Sequence, residues 1–129
     1  MKKLRVIAML SAIFTCIFTG CGAGAPKTFE QITPEEAKAI MDSESGFVIL
    51  DVRTEEEFAQ GHIKDAILIP DFEIEAKAES ILTDKKQLIL VYCRSGRRSK
   101  LAAQALVDMG YTNIKEFGGI IDWPYEIVI

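Results

Sequence analysis

The stretch LILVYCRSGRRS, Leu88 to Ser99, changes character at its middle. Its first half is an unbroken apolar run ending in Tyr92 and Cys93, the pattern of a strand buried on both faces of a parallel sheet. A short polar loop follows, in which Gly96 permits a sharp turn or a positive φ. From about Ser99, the residues Leu101, Ala102, Ala105, Leu106 and Met109 recur on one side of a helix that ends before Gly110. This order places Cys93 at the carboxyl end of a central strand, the edge at which open α/β sheets bind ligands.

The flanking chain alternates in the same way. ITPEEAKAIMDS, Ile32 to Ser43, predicts a helix capped by Thr33, with Pro34 at its first position, Glu36 completing a capping box, and Ala37, Ile40 and Met41 facing inward. Phe47 to Asp51 predicts a short buried strand. Thr54 and Glu57 repeat the capping pattern at a helix through Phe58 and Ala59, which Gly61 stops. Ala66 to Pro70 is a second strand. Phe72 to Ile81 is a helix with Asp71 as its cap and Ile74, Ala78 and Ile81 inward. Asn113 to Phe117 is a last strand. Strands alternating with helices imply an α/β fold, a mostly parallel central sheet with helices on both faces.

The amino terminus belongs to a different class. Lys2, Lys3 and Arg5 precede an apolar core from Val6 to Phe18 and small residues before a cysteine, the three parts of an export signal. The core is short for a membrane span, which needs ~20 residues. An uncleaved anchor helix or an ordinary secretory signal is the plainer reading. The ending FTGC, Phe18 to Cys21, resembles the lipobox of bacterial lipoproteins, which implies cleavage after Gly20 and lipid on Cys21. Two or more acyl chains hold a protein stably on a membrane.

The expected organisation is a signal over residues 1–20, a lipidated cysteine and flexible tether over 21–31, and one domain over 32–129. Without Lys2, Lys3 and Arg5, the 15 basic residues fall to 12 against 19 acidic ones. That balance disfavours nucleic acid and a polybasic hold on anionic lipid. Cys16 leaves with the signal and Cys21 carries lipid, so Cys93 has no internal disulfide partner.

In an acidic domain, Arg94, Arg97 and Arg98 form local counter-charge around that thiol. Backbone amides of the loop and the helix N-terminus suit an anion, and the same field favours a thiolate. A helix cap or phosphate-binding loop with an incidental cysteine is the plainer reading, but GRRS lacks the lysine and hydroxyl pair of a nucleoside triphosphate loop.

At this point the chain resembles a single-domain rhodanese, a sulfurtransferase of the thiosulfate or polysulfide class. The resemblance covers about residues 30 to 127 and rests on DVRTEEEFAQGHI at Asp51 to Ile63, the ILIP after it, YCRSGRRS at Tyr92 to Ser99, and GGIIDW at Gly118 to Trp123. It implies that Cys93 accepts a sulfane sulfur and becomes a persulfide. It also implies that Cys93 to Arg98 form the loop whose amides surround that sulfur, so that Arg94, Ser95, Gly96, Arg97 and Arg98 bind substrate, with Arg94 assisting an anionic donor. Asp51 and Arg53 resemble ion-pair elements beneath the pocket, and Glu57 and His62 resemble organising residues.

Thiolate attack on a sulfur with a good leaving group, such as sulfite, agrees with this arrangement. Cyanide or a thiol, small or on a protein, then removes the outer sulfur. No cofactor is expected, and one histidine with one free thiol makes no metal-ligand set. The protein is expected to be a monomer.

Local alternatives accompany these roles. Asp51 caps its turn or pairs with an arginine rather than tuning the pocket. Arg53 and Glu57, four apart, form a surface helix pair. Arg98 reaches either back to Asp51 or forward to substrate. Trp123 packs in the core or at its rim. Lys64 and Asp65 follow the GHI segment at a turn that accepts aspartate.

Three rival functions remain. A cysteine phosphatase or arsenate reductase resembles Cys, five residues, then Arg; from Cys93 that position is Ser99, and Arg98 comes one residue early. A rhodanese-like module at the membrane without catalysis commonly lacks the cysteine. A thiol redox protein needs a resolving partner in a CxxC motif.

Overall fold

The computed structural model describes residues 28–129. The export signal, the lipidation site Cys21 and most of the tether lie outside the described residues. In chain order the elements are β1 (Glu30–Gln31), α1 (Pro34–Ser43), β2 (Val48–Asp51), α2 (Glu55–Gln60), β3 (Ile67–Leu68), α3 (Ile74–Ile81), β4 (Ile89–Cys93), α4 (Arg97–Asp108) and β5 (Ile114–Gly119). They build one parallel sheet in the order β1-β5-β4-β2-β3.

β4 is central, and all five of its residues are buried. Its side chains alternate between two cores as a pleated strand requires. Ile89, Val91 and Cys93 face the layer formed by α3 and α4, with Ile74, Ala78, Ala102 and Leu106. Leu90 and Tyr92 face the layer of α1 and α2, with Ala37, Ile63 and Phe117. The α/β architecture with helices on both faces is thus as the sequence predicts.

α1 and α2 begin where their caps place them. Both capping boxes are complete, Thr33 with Glu36 and Thr54 with Glu57. Asp65 turns at φ 69°, a left-handed conformation that aspartate tolerates better than most side chains.

Four local expectations are corrected. The tether reading ends too late, because Glu30 and Gln31 pair with Lys115 and Glu116; a two-residue edge strand carries no periodic signal. Asp71 does not cap α3: it starts a 3-10 turn, Asp71–Glu73, that leads into α3 without a side-chain cap. Ile81 is 47% exposed and Leu82 is buried in its place, since Ile74, Ala78 and Leu82 continue one stripe at a spacing of four. α4 starts at Arg97, earlier than expected, and Leu101 points outward while Ala103 and Val107 enter the core.

Candidate active site

β4 ends at Cys93 and α4 starts at Arg97, so the intervening turn has three residues, Arg94 to Gly96. Gly96 closes it in the left-handed region at φ 105° and is the N-cap of α4. Its backbone N–H donates to Cys93 Sγ at 3.0 Å. The thiol donates to Ser99 Oγ at 3.3 Å, and Ser99 donates to Glu116 Oε2 at 2.5 Å. Gly118 N–H donates to the same carboxylate oxygen at 2.9 Å. Cys93, Ser99 and Glu116 are all buried.

The start of α4 differs from those of α1 and α2. α1 and α2 have acidic first turns and side-chain caps, which suit the positive end of a helix dipole. α4 has neither and begins with Arg97 and Arg98. Its N-terminal field therefore adds to the arginine charge instead of being neutralised by its own side chains. Such a local violation belongs at a functional site.

The arginines take different positions. Arg94 and Arg97 are exposed, as is Ser95, whereas Arg98 is half-buried. Arg98 grips Glu57 with two hydrogen bonds of 2.9 and 3.0 Å. This pair replaces the expected reach of Arg98 back to Asp51 and joins Glu57, part of α2's capping box, to the start of α4. The Arg98 hydrogen bonds, aided by Thr54, hold the Glu57 carboxyl down at about 2.

Arg53 likewise forms no surface pair with Glu57. It is buried against Asp51, with contacts of 2.9, 3.1 and 2.7 Å from its guanidinium. Asp51 also accepts the Arg53 backbone N–H at 2.9 Å and the Tyr92 hydroxyl at 2.6 Å. Arg53 continues to Gly61 O at 2.7 Å, and Tyr92 accepts from Ile63 N–H at 3.0 Å. Burial, reinforced by Asp51, pushes the Tyr92 hydroxyl well above its ordinary range, so it remains a donor. Because Tyr92 and Cys93 face opposite sides of the sheet, this network supports the loop from beneath and does not touch the thiol.

His62 serves the same support. Its Nδ1 lies 3.0 Å from Phe58 O, its ring stacks on Phe58 at 3.7 Å, and its backbone pairs with Val128. Trp123 is buried and packs against Phe117 and Tyr125. Neither approaches the thiol among the contacts of the described residues.

The family model for the rhodanese-like domain matches residues 33–124. The chain belongs to the rhodanese-like family. The thiosulfate sulfurtransferase PspE of Escherichia coli is 38% identical over 73 residues, which cover 57% of this chain and 70% of that protein. A sulfurtransferase of Allochromatium vinosum is 39% identical over 77 residues, covering 59% and 70%. Among solved structures, a rhodanese with anions from E. coli superposes with a TM-score of 0.60 at 35% identity, covering 64% of this chain and 96% of that one. This rhodanese-like domain is accordingly an enzyme of the sulfurtransferase class.

Two glycines of the rhodanese-like domain fix how closely the active loop approaches β5. Between Val91 and Cys93 the register with β5 slips, so that Val91 pairs with Glu116 but Cys93 with Gly119. Gly118, at φ 94°, absorbs the extra residue as a bulge. A Cβ on Gly119 would stand 2.0 Å from Arg94 O and 2.5 Å from Ser95 Cα, both backbone atoms. Gly119→Ala must therefore move the loop. We expect kcat/KM for sulfur transfer to fall about 10²-fold, the scale of a 1 Å misplacement; steady-state kinetics beside a circular dichroism spectrum of the folded variant check this, and unchanged kcat/KM would refute it.

Sequence reasoning overlooked Ser99 as a contact of the thiol and did not single out Glu116. The available signal was the alternation in NIKEF, which puts Glu116 on the same face as the buried Ile114.

Proposed function

We propose that this rhodanese-like domain carries a sulfane sulfur on Cys93 from an anionic donor, thiosulfate or a polysulfide, to cyanide or a thiol acceptor. The observation that supports this reading best is the thiol itself, held at the end of β4 by Gly96 N–H beside a helix N-terminus that carries arginines and no acid. The Cys93 thiolate attacks the outer sulfur of thiosulfate. A new S–S bond forms to Cys93, the donor S–S bond breaks with its electron pair leaving on sulfite, and the terminal sulfur of the persulfide carries the negative charge. Cyanide then attacks that sulfur, and the Cys93 S–S bond breaks to return the thiolate.

Arg94 and Arg97, exposed at the loop, draw the donor in. A cleft of about 300 Å³ adjoins it, bordered by Arg94, Arg53, Glu57, Ile120 and Ile121. Ser95 and Gly96 contribute backbone to the cradle, and Arg98 shapes it through Glu57. Asp51 and Arg53 act by holding the strand ends in place. The donor-first sequence requires that one product leave before the acceptor reacts. Initial rates with thiosulfate and cyanide varied together should give parallel double-reciprocal lines, and intersecting lines would overturn the persulfide route.

For the amino terminus, FTGC at Phe18 to Cys21 supports cleavage after Gly20, lipid on Cys21 and an exported, membrane-anchored domain. Expressed as the full chain in a bacterium, Cys21→Ala should move the protein from the detergent-extracted to the soluble fraction with its transfer rate unchanged. Continued dependence on detergent would refute the anchor.

A further inference from the structure

Glu116 is a buried acid in a parallel strand, 2% exposed, whose neighbours Ile114 and Phe117 are core residues. Among the described residues it forms no ion pair; its hydrogen bonds come from the Ser99 hydroxyl and the Gly118 amide, both neutral and both to Oε2. A carboxylate in such a place is costly to keep unless it has a task or a proton. Charged groups on the surrounding elements either have other partners or, like Arg97 on α4, are exposed. Arg98 on α4 is bound to Glu57, Lys100 reaches toward Gly96 O at 3.5 Å, Glu30 on β1 is bound to Lys115, and Glu36 on α1 closes its capping box.

The hydrogen of Ser99 decides what Cys93 experiences. Ser99 has one hydroxyl hydrogen, and Glu116 takes it, so Ser99 Oγ meets the thiol as an acceptor. In that orientation Ser99 suits S–H and offers a thiolate no hydrogen, leaving Gly96 N–H as the donor to sulfur. For Ser99 to add a second donor it must turn its hydrogen toward sulfur, which leaves an ionised Glu116 short of a donor and puts two negative charges in one buried cluster.

We infer that Glu116 is a positioning residue that stores the Cys93 proton, received through Ser99. This deepens the sulfur-transfer reading and rests on it for its catalytic meaning. The Cys93 S–H bond breaks as an O–H bond forms at Ser99, and the original Ser99 O–H bond breaks as one forms at Glu116. The chain S–H···O–H···carboxylate becomes thiolate···H–O···H–O of a neutral acid. No proton is gained or lost, and the cluster keeps one negative charge throughout. In the second half-reaction, Ser99 already points its hydrogen at Cys93 Sγ, the leaving atom, as the thiolate is regenerated.

Infrared difference spectra of the intact folded protein, recorded at one fixed pH as temperature is varied below unfolding, test the exchange without any sulfur donor. The S–H stretch and a protonated-carboxyl C=O band should change in opposite senses and in step. Glu116→Gln, whose amide oxygen can still accept from Ser99 and Gly118, should show no carboxyl band exchanging with S–H. Ser99→Ala should behave in the same way by interrupting the path, and it provides the control should Glu116→Gln fail to fold. No paired change in the wild type, or the same paired change in either variant, would overturn the assignment. Because the measurement needs no transfer, its failure is distinct from failure of the persulfide route.

Discussion

Cys93→Ser abolishes transfer from thiosulfate to cyanide and leaves the fold in place. A serine hydroxyl does not ionise near neutral pH and forms no stable bond to a sulfane sulfur, so neither half-reaction has a carrier. The fold survives because the substitution is close to isosteric and the local partners persist. Gly96 N–H can donate to the new oxygen, and Ser99 remains one turn away as an acceptor. We expect no thiocyanate above background and a Tm within a few degrees of the wild type. Retained turnover by a variant of wild-type stability would remove Cys93 from the chemistry and return weight to a binding module.

The second large effect is on stability. Asp51 is fully buried and accepts from Arg53 through both backbone and guanidinium and from the Tyr92 hydroxyl. Asp51→Ala leaves the Arg53 guanidinium charged, 5% exposed and without its carboxylate, with Gly61 O as its remaining acceptor. Breaking a buried pair from one side costs about 3 to 5 kcal/mol, because the surviving charge is uncompensated. Urea unfolding should show a loss of that size, with an unchanged denaturant slope. A loss below about 1 kcal/mol would mean that water or a rearranged Arg53 replaces the network. Asp51 lies beneath the loop on the Tyr92 side of the sheet, so the effect on kcat of the folded fraction should be much smaller than that of Gly119→Ala.

What the sequence reveals divides along physical lines. The capping boxes at Thr33 and Thr54 were legible because their partners lie three residues away, and β4 was legible because a strand buried on both faces must be apolar throughout. The same local logic misplaced Leu101 and Ile81, since the choice between neighbouring apolar residues is settled by which face the rest of the fold covers. Partner choice among charges was illegible for a related reason. Arg98 and Glu57 are 41 residues apart, and they meet because α2 follows β2, α4 follows β4, and those two strands pair side by side in parallel. The thiol and its loop could be read from YCRSGRRS, whereas Ser99 entered the reading only as the position where a phosphatase loop would place arginine. Its contact with Cys93, and the reach of Glu116 from β5, depend on the bulge at Gly118 that no short pattern announces.

On the proposed route Cys93 carries the sulfur as a persulfide between the two half-reactions. Intact mass measured after incubating the reduced protein with thiosulfate, followed by mapping of the modified peptide, tests it most directly. One sulfur atom should be added on the peptide containing Cys93, absent from Cys93→Ser and removed by cyanide. An unmodified Cys93 after treatment with thiosulfate and, separately, with polysulfide would contradict it.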